Sequence, residues 1–119
     1  GDKNIFTTAQ DLLKFDNATY SDHFLSKEMK HEMFKGYSYE RKGTKNYGLG
    51  VRLLEFDNGK RYIFHSGWWH GNTAMYVTLR DENITLIAMS NKFTKKPYEV
   101  KRLAPHFNSE YPFDFKDDE

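Results

Sequence analysis

Two short clusters of turn residues, Asp57-Asn58-Gly59 and Asp81-Glu82-Asn83, do most to limit the folds open to this chain. Each sits between runs rich in β-branched and aromatic residues, and Asn-Gly accepts the positive φ that a tight hairpin turn requires. The expectation is an antiparallel meander of about four strands: Asn46–Phe56, Lys60–His65, Asn72–Arg80 and Ile84–Ser90. The last of these, with Ile84-Thr85-Leu86-Ile87-Ala88-Met89, is mostly apolar on both faces, which calls for cover on both sides.

Helices are expected at both ends of the meander. Thr8 can cap a helix whose Asp11 reaches back as a capping-box carboxylate, and Leu12, Phe15 and Thr19 or Tyr20 follow at helical spacing. Ser26 caps a second helix, with Leu25 before it, Met29 and Met33 four apart, and Gly36 as its stop. Residues Tyr37 to Asn46, with Arg41-Lys42-Gly43-Thr44-Lys45, are polar and aperiodic and read as a surface loop. Pro97 suits the first position of a C-terminal helix carrying an apolar stripe of Val100, Leu103 and Ala104, and Pro105 limits it. The tail 108–119 is expected to lie extended. The fold class is therefore α+β, as one domain over residues 1–119.

Composition removes several functions. With 18 Lys plus Arg against 17 Asp plus Glu, no global field favours nucleic acid or an anionic membrane. Lys92, Lys95, Lys96, Lys101 and Arg102 read as a solvated face. Ten Phe, eight Tyr and two Trp supply a core for a folded domain. The absence of cysteine excludes disulfides, thiolate nucleophiles and Cys-based zinc sites. Neither a membrane span nor a leader is expected within these residues, and a chain opening on Gly1 is expected to be cut from something larger.

The chemistry-bearing segment is His65-Ser66-Gly67-Trp68-Trp69-His70-Gly71, where the apolar Tyr62-Ile63-Phe64 is expected to break into a turn. Two histidines without a third nearby ligand make a poor metal site, and no metal or cofactor is expected. Ser66 is a poor nucleophile. Adjacent strand side chains face opposite ways, so His65 cannot serve it as base, and Phe64 stands where a nucleophile elbow needs Gly. Gly48 and Gly50 lack the Lys and Ser or Thr of a phosphate loop and read as a bulge or a close backbone approach. Trp68 and Trp69 are expected to cap an apolar core. The competing reading is a ligand platform made with Tyr62 or Tyr76, and a purely structural domain comes third.

The order of four segments resembles the C-terminal portion of the serine β-lactamase, D-Ala-D-Ala peptidase and esterase superfamily, closest to class C β-lactamases and penicillin-binding-protein-like hydrolases. These segments are residues 1–13, Tyr47-Gly48-Leu49-Gly50-Val51, His65 to Gly71, and Ile84 to Asn91, so the resemblance covers about the first 105 residues. It implies a partial β-lactamase/transpeptidase-like fold in which His65-Ser66-Gly67 stands in the place of the family's Lys-Thr-Gly element. On that resemblance His65 positions or polarises the catalytic hydroxyls, Ser66 bonds the substrate's carboxylate or carbonyl, and Gly67 lets the substrate approach. The Trp68 backbone N–H serves the oxyanion hole, and Trp69 lies beside the substrate. Such a donor is worth about 2.7–4 kcal/mol in acyl transfer.

The family's Ser-x-x-Lys is missing: the residues three after Ser21, Ser26, Ser38, Ser66, Ser90 and Ser109 are Phe24, Met29, Arg41, Trp69, Phe93 and Pro112. Its Tyr-x-Asn is missing too. The expectation is a C-terminal piece of a hydrolase acting on β-lactams, peptidyl-D-Ala or esters through an acyl-enzyme. It would be inactive without the N-terminal part, and extracytoplasmic or periplasmic by resemblance. Its Ile84–Ser90 strand would keep an open edge, inviting self-association or cover from the tail around Tyr111 to Phe115.

Overall fold

The structure, a computed structural model, describes residues 5–38 and 45–115. Helices α1 (Ala9–Thr19) and α2 (Lys27–Met33) precede five strands: β1 (Lys45–Tyr47), β2 (Arg52–Glu55), β3 (Arg61–Trp69), β4 (Asn72–Leu79) and β5 (Ile84–Ser90). A 3-10 helix, Lys96–His106, follows. The strands form one antiparallel sheet in sequential order, so the α+β meander stands.

Both expected caps form. The Thr8 hydroxyl accepts from Asp11 N–H and the Ser26 hydroxyl from Met29 N–H, each at 3.2 Å. The Asp11 carboxylate pairs with Lys14. The first three-residue turn closes through Phe56 N–H on Lys60 C=O at 2.8 Å, with Gly59 alone at positive φ. The second ends on Asn83, also at positive φ.

Three expectations about strands are corrected. The stretch Asn46–Phe56 is two strands, making five, because the chain folds back at Gly48-Leu49-Gly50. Gly50 has a φ of +74°, and a Cβ on Gly48 would stand 2.4 Å from the Met33 carbonyl oxygen. The loop expected from Tyr37 to Asn46 gives way to β1 at Lys45, and its residues 39–44 lie outside the described residues. Tyr62-Ile63-Phe64 does not break at Ser66. β3 runs on to Trp69 and turns at His70-Gly71, both at positive φ, into β4.

The sheet is covered on both faces, as β5 required. On one face Leu54, Tyr62, Phe64, Met75, Val77, Leu79 and Leu86 pack against Ala104 of the 3-10 helix and Tyr111 of the tail. On the other, Leu53 and Ile63 meet Phe34 and Val51, and α1 lies against β4 and β5. There the polar residues are the buried ones. Asp16 is 1% exposed and accepts from the Tyr76 and Thr85 hydroxyls, while the Arg80 guanidinium bonds Thr19 Oγ1 at 2.7 Å and stacks on Tyr20. Phe15, expected on the buried stripe, is exposed and meets Phe24 edge-on at 5.9 Å.

The C-terminal segment departs from its pattern as well. Leu103 is exposed, whereas Lys101, assigned to a solvated face, is 1% exposed with its Nζ 4.6 Å from the Phe64 ring centre. Of the expected stripe, Ala104 is buried and Val100 packs against the core, and the tighter 3-10 winding turns Leu103 out and brings Pro97 and Lys101 inward beside them. The tail as far as Phe115 packs instead of extending, its residues 116–119 lying outside the described ones: Tyr111 stacks on Tyr62 at 5.3 Å and Phe115 meets Phe56 and Tyr62. Those contacts place it over β2 and β3 and away from the outer edge of β5.

Candidate functional site

The hairpin registers bring the candidate residues to one end of the sheet. β2 pairs with β3 only from Arg61 to Phe64, while β4 pairs with β3 as far as Trp69. From His65 to Trp69, among the described residues, β3 therefore has a neighbour on one side only. An unpaired strand edge presents alternate backbone N–H and C=O groups outward.

Side chains along this half-strand alternate between faces. His65, Gly67 and Trp69 share one face; Ser66 and Trp68 share the other with Tyr62 and Phe64. His65 is exposed. One ring nitrogen, Nδ1, lies 2.7 Å from the Ser66 carbonyl oxygen, and Nε2 lies 3.2 Å from the Tyr47 hydroxyl. The imidazole thus bonds the backbone of Ser66 and not its hydroxyl, in keeping with the argument against a Ser–His dyad.

Gly67 is held from the opposite side by the Tyr98 hydroxyl, which donates to its carbonyl at 3.3 Å. A Cβ there would meet only the Ala74 methyl at 3.5 Å, an ordinary contact, so the small residue leaves the surface of the strand clear. Trp68 and Trp69 are 61% and 52% exposed, which corrects the expectation that they cap a core. Trp68 leans on the exposed Phe93 at 5.5 Å and Trp69 on His70 at 4.5 Å. The platform considered with Tyr62 or Tyr76 is not assembled: the two indoles face opposite ways and Tyr62 is wholly buried. Among the described residues no three side chains converge as metal ligands.

The floor beneath His65 is polar and fixed. Its cross-strand neighbour Tyr76 donates to buried Asp16. Burial and then that bond push the Tyr76 phenol well above its ordinary range, so it stays a neutral donor. Burial likewise pushes the Tyr62 phenol up to about 12, with Arg102 opposing.

Tyr47, Tyr98 and Phe93 are the site neighbours that sequence reasoning passed over as side chains. Only Tyr47 had a signal, because Tyr47-Gly48-Leu49-Gly50 was already one of the resembling segments. Nothing in the sequence pointed to its contact with a residue 18 positions away.

Against known proteins, residues 1–107 match the family model described as Beta-lactamase. The chain is 34% identical over 116 residues to Penicillin-binding protein 4* of Bacillus subtilis (strain 168). That match covers 96% of this chain and 26% of the relative, so the chain spans about a quarter of the relative's length.

Proposed function

This chain belongs to the beta-lactamase family of serine hydrolase relatives, and on that premise we propose that it supplies one wall of an acyl-transfer site. The observation that carries the reading is the half of β3 that pairs on one side only, from His65 to Trp69. A β-lactam, a peptidyl-D-Ala or a simple ester lies along that edge. Gly67 allows its approach, Ser66 bonds its carboxylate or carbonyl, and Trp69 borders it. The Trp68 N–H donates to the oxygen of the attacked carbonyl as charge develops there. His65 positions or polarises the reacting hydroxyls.

The nucleophile is a serine of the N-terminal part of the same hydrolase, activated by a lysine three residues after it; this sequence holds no Ser-x-x-Lys. Its hydroxyl attacks the carbonyl and gives its proton to the lysine. The C–N or C–O bond breaks, and the amine or alcohol takes up that proton and leaves; in a β-lactam the ring opens and the amine stays attached. Water then hydrolyses the acyl-enzyme ester to free acid and serine. These 119 residues alone do not turn over substrate. Without that partner the outer edge of β5 takes up a second copy of the chain. The working location is extracytoplasmic, by family; among the described residues no helix is long and apolar enough to cross a membrane.

The test is a chimera in which this chain replaces the matching segment of its Bacillus relative. Hydrolysis of nitrocefin or a p-nitrophenyl ester is expected, with His65→Ala lowering it by about 10²-fold. A folded chimera that acylates equally well without the imidazole refutes the role of His65. Saturable glycan or peptide binding by the chain alone, abolished by Trp69→Ala while the fold persists, would replace this reading with a binding module.

A further inference from the structure

We infer that Tyr47 is the positioning residue of His65, fixing the imidazole in the tautomer with its proton on Nδ1 and the Nε2 lone pair turned toward the open half of β3. The two ring contacts decide the tautomer together. The Ser66 carbonyl can only accept, so Nδ1, 2.7 Å away, carries a proton. In the neutral ring Nε2 is then an acceptor, and the Tyr47 hydroxyl at 3.2 Å donates to it. A free histidine side chain in water prefers the opposite arrangement, with the proton on Nε2. The site therefore imposes a form that the ring does not favour by itself.

The direction of the ring follows from topology. Tyr47 belongs to β1, which lies beyond β2 from β3. A ring on β3 whose Nε2 reaches that hydroxyl has turned to the β2 side, the side left unpaired beyond Phe64. Tyr47 is itself held without help from His65. Its N–H donates to Asn46 Oδ1 at 2.8 Å and its carbonyl accepts from Tyr37 N–H at 2.9 Å. The Arg52 guanidinium lies 5.7 Å from its ring centre. The two rings then meet edge to face, 6.4 Å apart at 83°, so the phenol fixes the plane of the imidazole as well as its proton.

The inference rests on the proposed role of His65 and gives it a specific form. A reacting hydroxyl that comes to the open edge meets an acceptor, the phenol oxygen whose proton the Nε2 lone pair holds. In the other tautomer it would meet an imidazole N–H competing as a donor. Tyr47 need not touch the substrate to have this effect.

The closing experiment reads the proton directly. Long-range 15N–1H correlation spectra of the labelled chain show which nitrogen of His65 is protonated, and Nδ1–H with a bare Nε2 is expected. Tyr47→Phe keeps the ring and removes the hydroxyl; it is expected to move His65 toward the Nε2–H form while the β3 and β4 amide signals stay in place. Nε2–H in the wild-type chain overturns the inference, even if the variant fails to fold. An unchanged tautomer in a folded Tyr47→Phe chain overturns it too.

In the chimera, Tyr47→Phe is expected to lower kcat roughly tenfold with KM little changed. Loss of activity in His65→Ala with full kcat in Tyr47→Phe would overturn this inference and leave the proposed function standing. Full activity in His65→Ala would remove the proposed function, and the ring spectrum would still decide the tautomer.

Discussion

Tyr111→Phe tests whether the C-terminal segment is part of the fold or an appendage to it. The Tyr111 hydroxyl donates to Glu82 Oε2 at 2.5 Å, while Glu82 Oε1 takes Asn108 Nδ2 at 3.0 Å and Lys60 Nζ at 2.9 Å. One carboxylate in the β4–β5 turn thus ties the tail to the β2–β3 turn, where Asn58 also bonds the Glu110 carbonyl. The substitution keeps the stack on Tyr62 and removes a hydrogen bond to a charged group in a position 2% exposed. Such bonds contribute about 1.5–3 kcal/mol. At about 4 °C per kcal/mol for a domain of this size, the thermal midpoint at pH 7 should fall by roughly 6–12 °C.

The pH dependence provides a second constraint on the same bond. Burial pushes Glu82 up, but the bonds from Lys60, Tyr111 and Asn108 outweigh it and hold its carboxyl below the ordinary value of 4.5. A carboxylate with a depressed folded value contributes stability above its unfolded value and loses it as pH falls through the folded one. The difference between wild type and Tyr111→Phe should be full at neutral pH and narrow once the pH drops below 4.5. Equal midpoints at pH 7, or a gap that persists undiminished in acid, would refute the reasoning.

Asp16→Ala should leave the Tyr76 and Thr85 hydroxyls without their acceptor under α1. At about 1–3 kcal/mol for each of the two orphaned groups, urea denaturation should show a loss of roughly 2–6 kcal/mol, and α1 amides should exchange faster. A loss below about 1 kcal/mol would show that α1 is held by something else. Met89→Lys, at an exposed position on β5, should abolish concentration-dependent association seen by light scattering. A wild-type chain that stays monomeric throughout the concentration range would remove the edge from consideration.

The parts of the fold legible in the sequence are those where one local rule decides. Thr8 and Ser26 each have a helix start to cap, and the turns at Gly59 and Asn83 each need a residue that tolerates positive φ. The helix stripes were misread because burial there is set by hydrogen-bond partners on other elements. Thr19 is inside, where the expected stripe puts it, but Asp16, off that stripe, is inside because Tyr76 and Thr85 meet it, while Phe15, on the stripe, is outside. Hydrophobic periodicity alone assigns such a face wrongly.

The end of β3 failed for a related reason. Ser66-Gly67 looks like a strand breaker in one dimension, yet seven registered pairs with β4, from Ile63↔Thr78 to Trp69↔Asn72, carry the strand past it. The true turn, His70-Gly71, places a histidine at a φ of 49°, where Asn is the commoner residue beside Gly, and so escapes the usual signal. Extending β3 by four residues while β2 stops opposite Phe64 is what creates the one-sided stretch from His65 to Trp69. The same mismatch in strand length lets Tyr47 reach His65 past the end of β2. The segment His65-Ser66-Gly67 was therefore recognisable from sequence, but its partner was not: their contact depends on where two neighbouring strands end, which only the registers determine.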